Sequence, residues 1–134
     1  MNMKSAFLLT AIWGVLGTGV ALAHHSFAAE YDSAKPVTLK GAVTKMEWMN
    51  PHARFYVDVK DEGGKVTNWE FELGSPNGLM RRGWTRNSLK PGDVIIVEGY
   101  LAKDGSKLAN ARNVTLTDGR KIFAGSSDDG GPQK

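Results

Sequence analysis

Thr67-Asn68-Trp69-Glu70-Phe71-Glu72-Leu73-Gly74-Ser75-Pro76-Asn77-Gly78-Leu79-Met80-Arg81-Arg82-Gly83 changes its period in mid-course, and that change decides the fold. Up to Leu73 the residues alternate, with Thr67, Trp69, Phe71 and Leu73 on one face and Asn68, Glu70 and Glu72 on the other, which is the signature of a half-buried strand. Ser75-Pro76 then gives a helix start, serine as N-cap and proline at the first helical position. Gly83 closes a helix of about two turns. Trp69 falls in the core register. Glu70 and Glu72 share the outer, solvated face, and Arg81 and Arg82 with Lys90 read as charges complementing a helix end.

Upstream, Val37, Leu39, Gly41 and Val43 alternate with Thr38, Lys40, Ala42 and Thr44. The apolar side then switches to Met46 and Trp48, which a period of two forbids without a bulge or bend, and Gly41 is the expected place for curvature. Asn50-Pro51 turns the chain into a second strand, Phe55, Val57 and Val59, and Asp61-Glu62-Gly63-Gly64 supplies a hairpin to the third. Downstream, Lys90-Pro91-Gly92-Asp93 fits a type II turn. It leads into the β-branched run Val94–Leu101, expected to be the most buried strand. Lys103-Asp104-Gly105-Ser106 turns to a strand over Leu108–Leu116, and Asp118-Gly119 to a short apolar piece, Ile122-Phe123. Three strands, a short helix and two or three more strands predict an all-β domain. It is a small, closed or partly open barrel of five to six strands, like the oligonucleotide/oligosaccharide-binding (OB) fold, with its helix between strands three and four.

Near the start of the sequence lie Lys4 and an apolar run, Ala6–Ala23, ending in Ala21-Leu22-Ala23. Small residues in that A-x-A spacing mark a signal-peptide cleavage site. Residues 1–23 are therefore read as a signal peptide, 24–124 as one β-barrel domain with an N-terminal arm, and 125–134, mostly glycine, serine, aspartate and proline, as a tail unable to order itself. Phe27 and Tyr31 are placed to pin the arm to the body. An uncleaved anchor over Ser5–Leu22 is the rival reading; its length suffices, but three glycines and the A-x-A site favour cleavage. Removing 23 of the 134 residues leaves 111, enough for one modest core. Lys4 lies in the leader, so 16 basic side chains face 14 acidic ones in the mature part, too even a balance for nucleic-acid binding. There is no cysteine, hence no disulfide, thiolate metal site or lipid anchor.

The motifs HHSFAAEYD (24–32), VTLKGAVT (37–44), EWMNPHA (47–53), WEFELGSPNGLMRRGW (69–84), LKPGDV (89–94) and AKDGS (102–106) resemble, taken together, a family of small exported bacterial proteins classed as a domain of unknown function. The resemblance spans His24 to Lys121 and implies export and one compact β domain. It implies no activity, so the functional reading rests on the residues.

Cleavage after Ala23 exposes His24, whose free α-amine and ring nitrogen titrate near about 8 and 6.5 and are both available as neutral donors to one ion. His25 follows, and the remaining histidine, His52, sits in the turn after Asn50-Pro51. An all-nitrogen set from His24, His25 and His52 favours Cu(II), with Zn(II) second. Met46 and Met49 flank the turn but read as core filler. Position three of the mature chain is Ser26, which excludes the amide-chelating motif that needs histidine there. Trp48 and Trp84 are candidates for a ligand face. No nucleophile motif, phosphate loop or dinucleotide fingerprint occurs.

The sequence thus reads as a periplasmic or secreted binding protein rather than an enzyme, possessing no membrane span once the signal is removed and holding Cu(II) or Zn(II) through His24, His25 and His52. The alternative is a metal-free module that binds an envelope protein or a glycan across the barrel. A small copper oxidase or monooxygenase using the same ligands is the weaker alternative, since it also needs a substrate groove.

Overall fold

A computed structural model describes residues 27–126. After a four-residue helix, α1 (Phe27–Glu30), come three strands, β1 (Tyr31–Glu47), β2 (Arg54–Lys60) and β3 (Val66–Glu72). A helix, α2 (Pro76–Arg81), separates them from β4 (Val94–Ala102), β5 (Leu108–Thr115) and β6 (Lys121–Phe123). Neighbouring strands run antiparallel in the order β3-β2-β1-β4-β5-β6, and a parallel pairing of β3 with β5 closes the first five into a barrel. This is the expected OB-like architecture, with the helix where the sequence places it.

The 17 residues of β1 serve two partners: Pro36 to Ala42 pair with β4, and Ala42 to Glu47 pair with β2. The change of apolar side is real, but the extra residue is Thr44, between the pairs Val43–Val57 and Lys45–Tyr56. Gly41 has a different task. A Cβ there would lie 2.1 Å from the Asp58 carbonyl oxygen, so glycine is what allows β2 to approach. The Lys90–Asp93 turn has Gly92 at φ 94°, as a type II turn requires, and the Asp93 amide donates to the Lys90 carbonyl.

Inside the barrel, Phe55 stacks on Phe71 across the β2–β3 ladder at 5.1 Å, among Val43, Val57, Ile95, Val97, Ala109, Ala111 and Val114. Leu79 of α2, with Trp84 and Leu89 after it, belongs to the same core, so the inserted helix contributes buried apolar surface as well as a connection. Ser75 caps it, its Oγ accepting from the Gly78 amide.

One burial expectation is corrected. Val94 and Ile96 on the outer face of β4 are 50% and 37% exposed, and the strand buried most completely is β5, where Ala109, Asn110, Ala111 and Arg112 are all buried. The physical reason is a second layer. Phe27 and Tyr31 lie over the outside of the barrel and form a satellite cluster with Ala102, Tyr100 and Leu108, so part of β5 is covered on both faces. Lys103 fastens this arm twice, its amide donating to the Glu30 carbonyl and its Nζ to the Ala28 carbonyl.

Candidate functional site

The arm creates a buried polar site on the outer surface of the barrel. Alternation along β3 turns Phe71 inward and Glu70 and Glu72 outward, yet Glu72 is only 7% exposed, which corrects the reading of both glutamates as solvated. Antiparallel register sets Arg54 of β2 directly opposite Glu72, and the Arg54 Nη2 donates to Glu72 Oε2 at 3.1 Å. The Nη1 of the same guanidinium bonds Glu70. The Tyr31 hydroxyl donates to Glu72 Oε2 at 3.0 Å, tying the start of β1 to the end of β3.

His52 completes the group. Its Nδ1 lies 2.9 Å from the Leu73 carbonyl oxygen and 3.8 Å from Glu72 Oε1, and its side chain is about a quarter exposed. A carbonyl oxygen can only accept, so Nδ1 carries the proton in that bond and the neutral ring keeps its lone pair on Nε2. Burial raises the Glu72 carboxyl above the ordinary glutamate range; a positive charge on His52 where the ring is protonated, the Tyr31 hydrogen bond and Arg54 pull it back, while Glu30 adds to the rise. The Tyr31 phenol is raised strongly, first by burial and then by the negative charge of Glu72 and Glu30.

Next to this group, β5 bulges by one residue at Arg112, between the pairs Glu98–Asn113 and Gly99–Ala111. The Arg112 guanidinium is held 4.7 Å from the Phe27 ring centroid and 5.8 Å from that of Tyr100. Asn110, paired with both Glu72 and Tyr100, is buried, and its Oδ1 has no hydrogen-bond partner among the described residues. A cavity of 190 Å³ opens beside Arg112 and Tyr100, walled also by Glu98, Asn113 and Phe123.

His24 and His25 lie outside the described residues, and among the described residues no three His, Asp or Glu side chains are grouped as a metal-ligand set. Trp84 cannot be a ligand face. It is 1% exposed, packs in the core and donates its indole N–H to the Phe123 carbonyl at 2.9 Å. Trp48 and Met46 are partly buried against that core, whereas Met49 is exposed. Trp69 is also partly rather than wholly buried, with the Lys107 Nζ 5.2 Å from its ring centroid. Glu72 is the residue sequence reasoning missed. A signal for it existed, since the hairpin at Asp61–Gly64 pairs Lys60 with Val66, and counting back brings Arg54 opposite Glu72.

The model of the family described as "Family of unknown function (DUF6152)" matches residues 14–111, nearly three quarters of the chain. The chain belongs to that family. The DUF6152 match begins ten residues before His24 and ends within β5. A search of curated proteins finds no match. Among solved structures, the mitochondrial single-stranded DNA-binding protein of S. cerevisiae is similar at 8% identity and a TM-score of 0.49, covering 62% of this chain and 93% of that one. A chain in the crystal structure of a TiaS–tRNA–ATP complex is similar at 23% identity and a TM-score of 0.44, over 60% of this chain and 18% of that one. No helix among the described residues is long and apolar enough to cross a membrane.

Proposed function

We propose that this DUF6152 protein is an exported metal-binding protein that takes one Cu(II), or Zn(II) as second choice, through the amine and ring of His24 with His25 and His52. The observation that supports it is the attachment of the arm: Tyr31 is bonded to Glu72, and Glu72 faces His52. Phe27 packs against Tyr31 with ring centroids 5.6 Å apart, and His25 and His24 stand two and three residues before it, within at most about 7 and 11 Å of chain. The arm is thereby tied to the neighbourhood of His52 through Tyr31 and Glu72. Imidazole and amine donors without thiolate suit Cu(II) best. The outer face of β1, β2 and β3 favours a small ion over a nucleic-acid strand, because Lys45 is paired with Glu47 and Arg54 with Glu70, while Asp58, bonded only to the neutral Asn68, adds a negative charge.

Protein processed at His24 is expected to bind about one Cu(II) per chain in a calorimetric or fluorescence titration. One residue added ahead of His24 converts the amine to an amide and weakens binding; His52→Ala weakens it by removing a ring. Uptake fades below about pH 6, where protons compete for imidazole and amine. If only the extension matters, the ion is local to the terminus. No saturable uptake of Cu(II) or Zn(II) by processed protein at neutral pH would instead favour a metal-free module, for which exposed Val94 and Ile96 on β4 offer an apolar contact for a protein partner.

A further inference from the structure

We infer that Glu72 is a positioning residue for His52: with the Leu73 carbonyl it holds the imidazole as the Nδ1–H tautomer and leaves Nε2 with a free lone pair, ready to donate to an ion. This rests on the metal reading above for its purpose, but the geometry stands by itself. His52 Nδ1 has two oxygens on its side, Leu73 O at 2.9 Å and Glu72 Oε1 at 3.8 Å, and neither can donate to it if Glu72 is ionised. In free neutral imidazole the two tautomers compete, so a ring meant to ligate through Nε2 needs acceptors at Nδ1. A carboxylate or backbone carbonyl at the second nitrogen is how proteins fix the tautomer of a ligating histidine and raise its basicity.

Glu72 is itself held too firmly to be a loose surface charge. Its other oxygen, Oε2, receives the Tyr31 hydroxyl and the Arg54 guanidinium, which turns Oε1 toward the ring. Those same bonds explain why the acid tolerates burial, and they join the arm, β2 and β3 to one carboxylate. If Glu72 served only to neutralise Arg54, its position beside His52 would be incidental, and Glu70, bonded to the same guanidinium, would be equivalent.

The test begins with metal-free, nitrogen-15-labelled wild-type protein at pH 8, where ring nitrogen shifts report the tautomer and no substitution is needed. The expected result is Nδ1–H with Nε2 bare; an Nε2–H or doubly protonated ring overturns the inference. Glu72→Gln is then expected to let the Nε2–H form appear and to weaken Cu(II) affinity about 10- to 100-fold, while Glu70→Gln leaves both within about threefold. Equal affinity for wild type and Glu72→Gln, with His52→Ala weakened, would also overturn it. Should wild type take up no Cu(II), the metal reading falls, and the tautomer spectra of the wild type and the two glutamine variants still decide what Glu72 does to His52.

Discussion

At the scale of single residues, one buried carboxylate organises the surface of the barrel, and its hydroxyl partner gives a direct measurement. Tyr31 donates to Glu72 from a buried position, and ionising that phenol would place a second negative charge against the first. The folded protein therefore holds the Tyr31 proton more tightly than the unfolded chain, whose tyrosines titrate near about 10. The linkage has a definite sign: a raised folded value contributes stability that is intact below the unfolded value and drains away as pH rises above it. In an absorbance titration at alkaline pH, two of the three tyrosines, Tyr31 and Tyr56, are held above the usual range, and Tyr31, raised far more, is expected to ionise only as the protein unfolds. In Tyr31→Phe that late step disappears, and stability at neutral pH falls by about 1–3 kcal/mol because Glu72 loses a donor. A late step surviving in Tyr31→Phe would assign it elsewhere. Phe27 and Tyr31 were legible as anchors because large apolar residues in a polar arm have few other uses. The buried state of Glu72 was not, since alternation says only which face a side chain takes and not what a distant segment lays over it.

At the scale of elements, the strands and the helix were legible because each boundary is written in local chemistry: Ser75-Pro76 for α2, Pro91-Gly92 for the turn into β4, and glycines at the hairpins. The positions of bulges were harder. An alternation pattern reveals that a switch of face occurs before Met46, but Thr44 is displaced by its pairing with β2, and pairing is not local information. Glycines separate the two kinds of constraint. Gly99 lies where β4 meets the bulge of β5, and a Cβ there would come within 2.1 Å of the Asn110 carbonyl oxygen. Gly105, at φ 77° in the next turn, has nothing within 4 Å of the same virtual atom. Gly99→Ala must push backbone against backbone and is expected to cost ~3 kcal/mol, at the upper end of overpacking effects. Gly105→Ala pays only for a left-handed backbone, about 1 kcal/mol. Denaturant unfolding of the two variants measures the difference; equal losses would mean that the ladder yields at Gly99. The misreading of β4 has the same root: a β-branched run signals a strand, whereas burial on both faces falls to β5, which is rich in alanine and lies under the arm.

At the scale of the whole molecule, the protein has two cores of unequal weight. The closed ring of β1 to β5 surrounds the large one, while among the described residues the arm's cluster holds three buried ones, Phe27, Tyr31 and Ala102, with Tyr100 and Leu108 beside them. The strand pairs that close the ring begin at Pro36 of β1, apart from the single contact of Tyr31 with Ala102, so lifting the arm breaks little of the ladder. The arm should therefore open alone, as a unit of lower stability than the barrel. A ceiling follows from this. No arm substitution can cost more than the arm's own docking free energy, because beyond that limit the arm simply detaches and the barrel remains. Phe55→Ala, deep in the barrel, is expected to lose the ordinary ~3–5 kcal/mol of a core phenylalanine, and Phe27→Ala clearly less. The Lys103 amide, bonded to the Glu30 carbonyl, reports arm opening directly. Its hydrogen exchange is expected to proceed at a lower free energy, and with weaker denaturant dependence, than exchange at Val57 or Val97 in the barrel. An ion that bridges the arm and His52 binds fully only to the docked arm, so it should slow Lys103 selectively, by about 2.7 kcal/mol at one hundred times its dissociation constant. Protection at Lys103 that already equals the barrel's without metal would show the arm to be one cooperative unit with the barrel. Protection unchanged by Zn(II) in protein that binds it would confine the ion to the terminus and leave His52 out of its coordination.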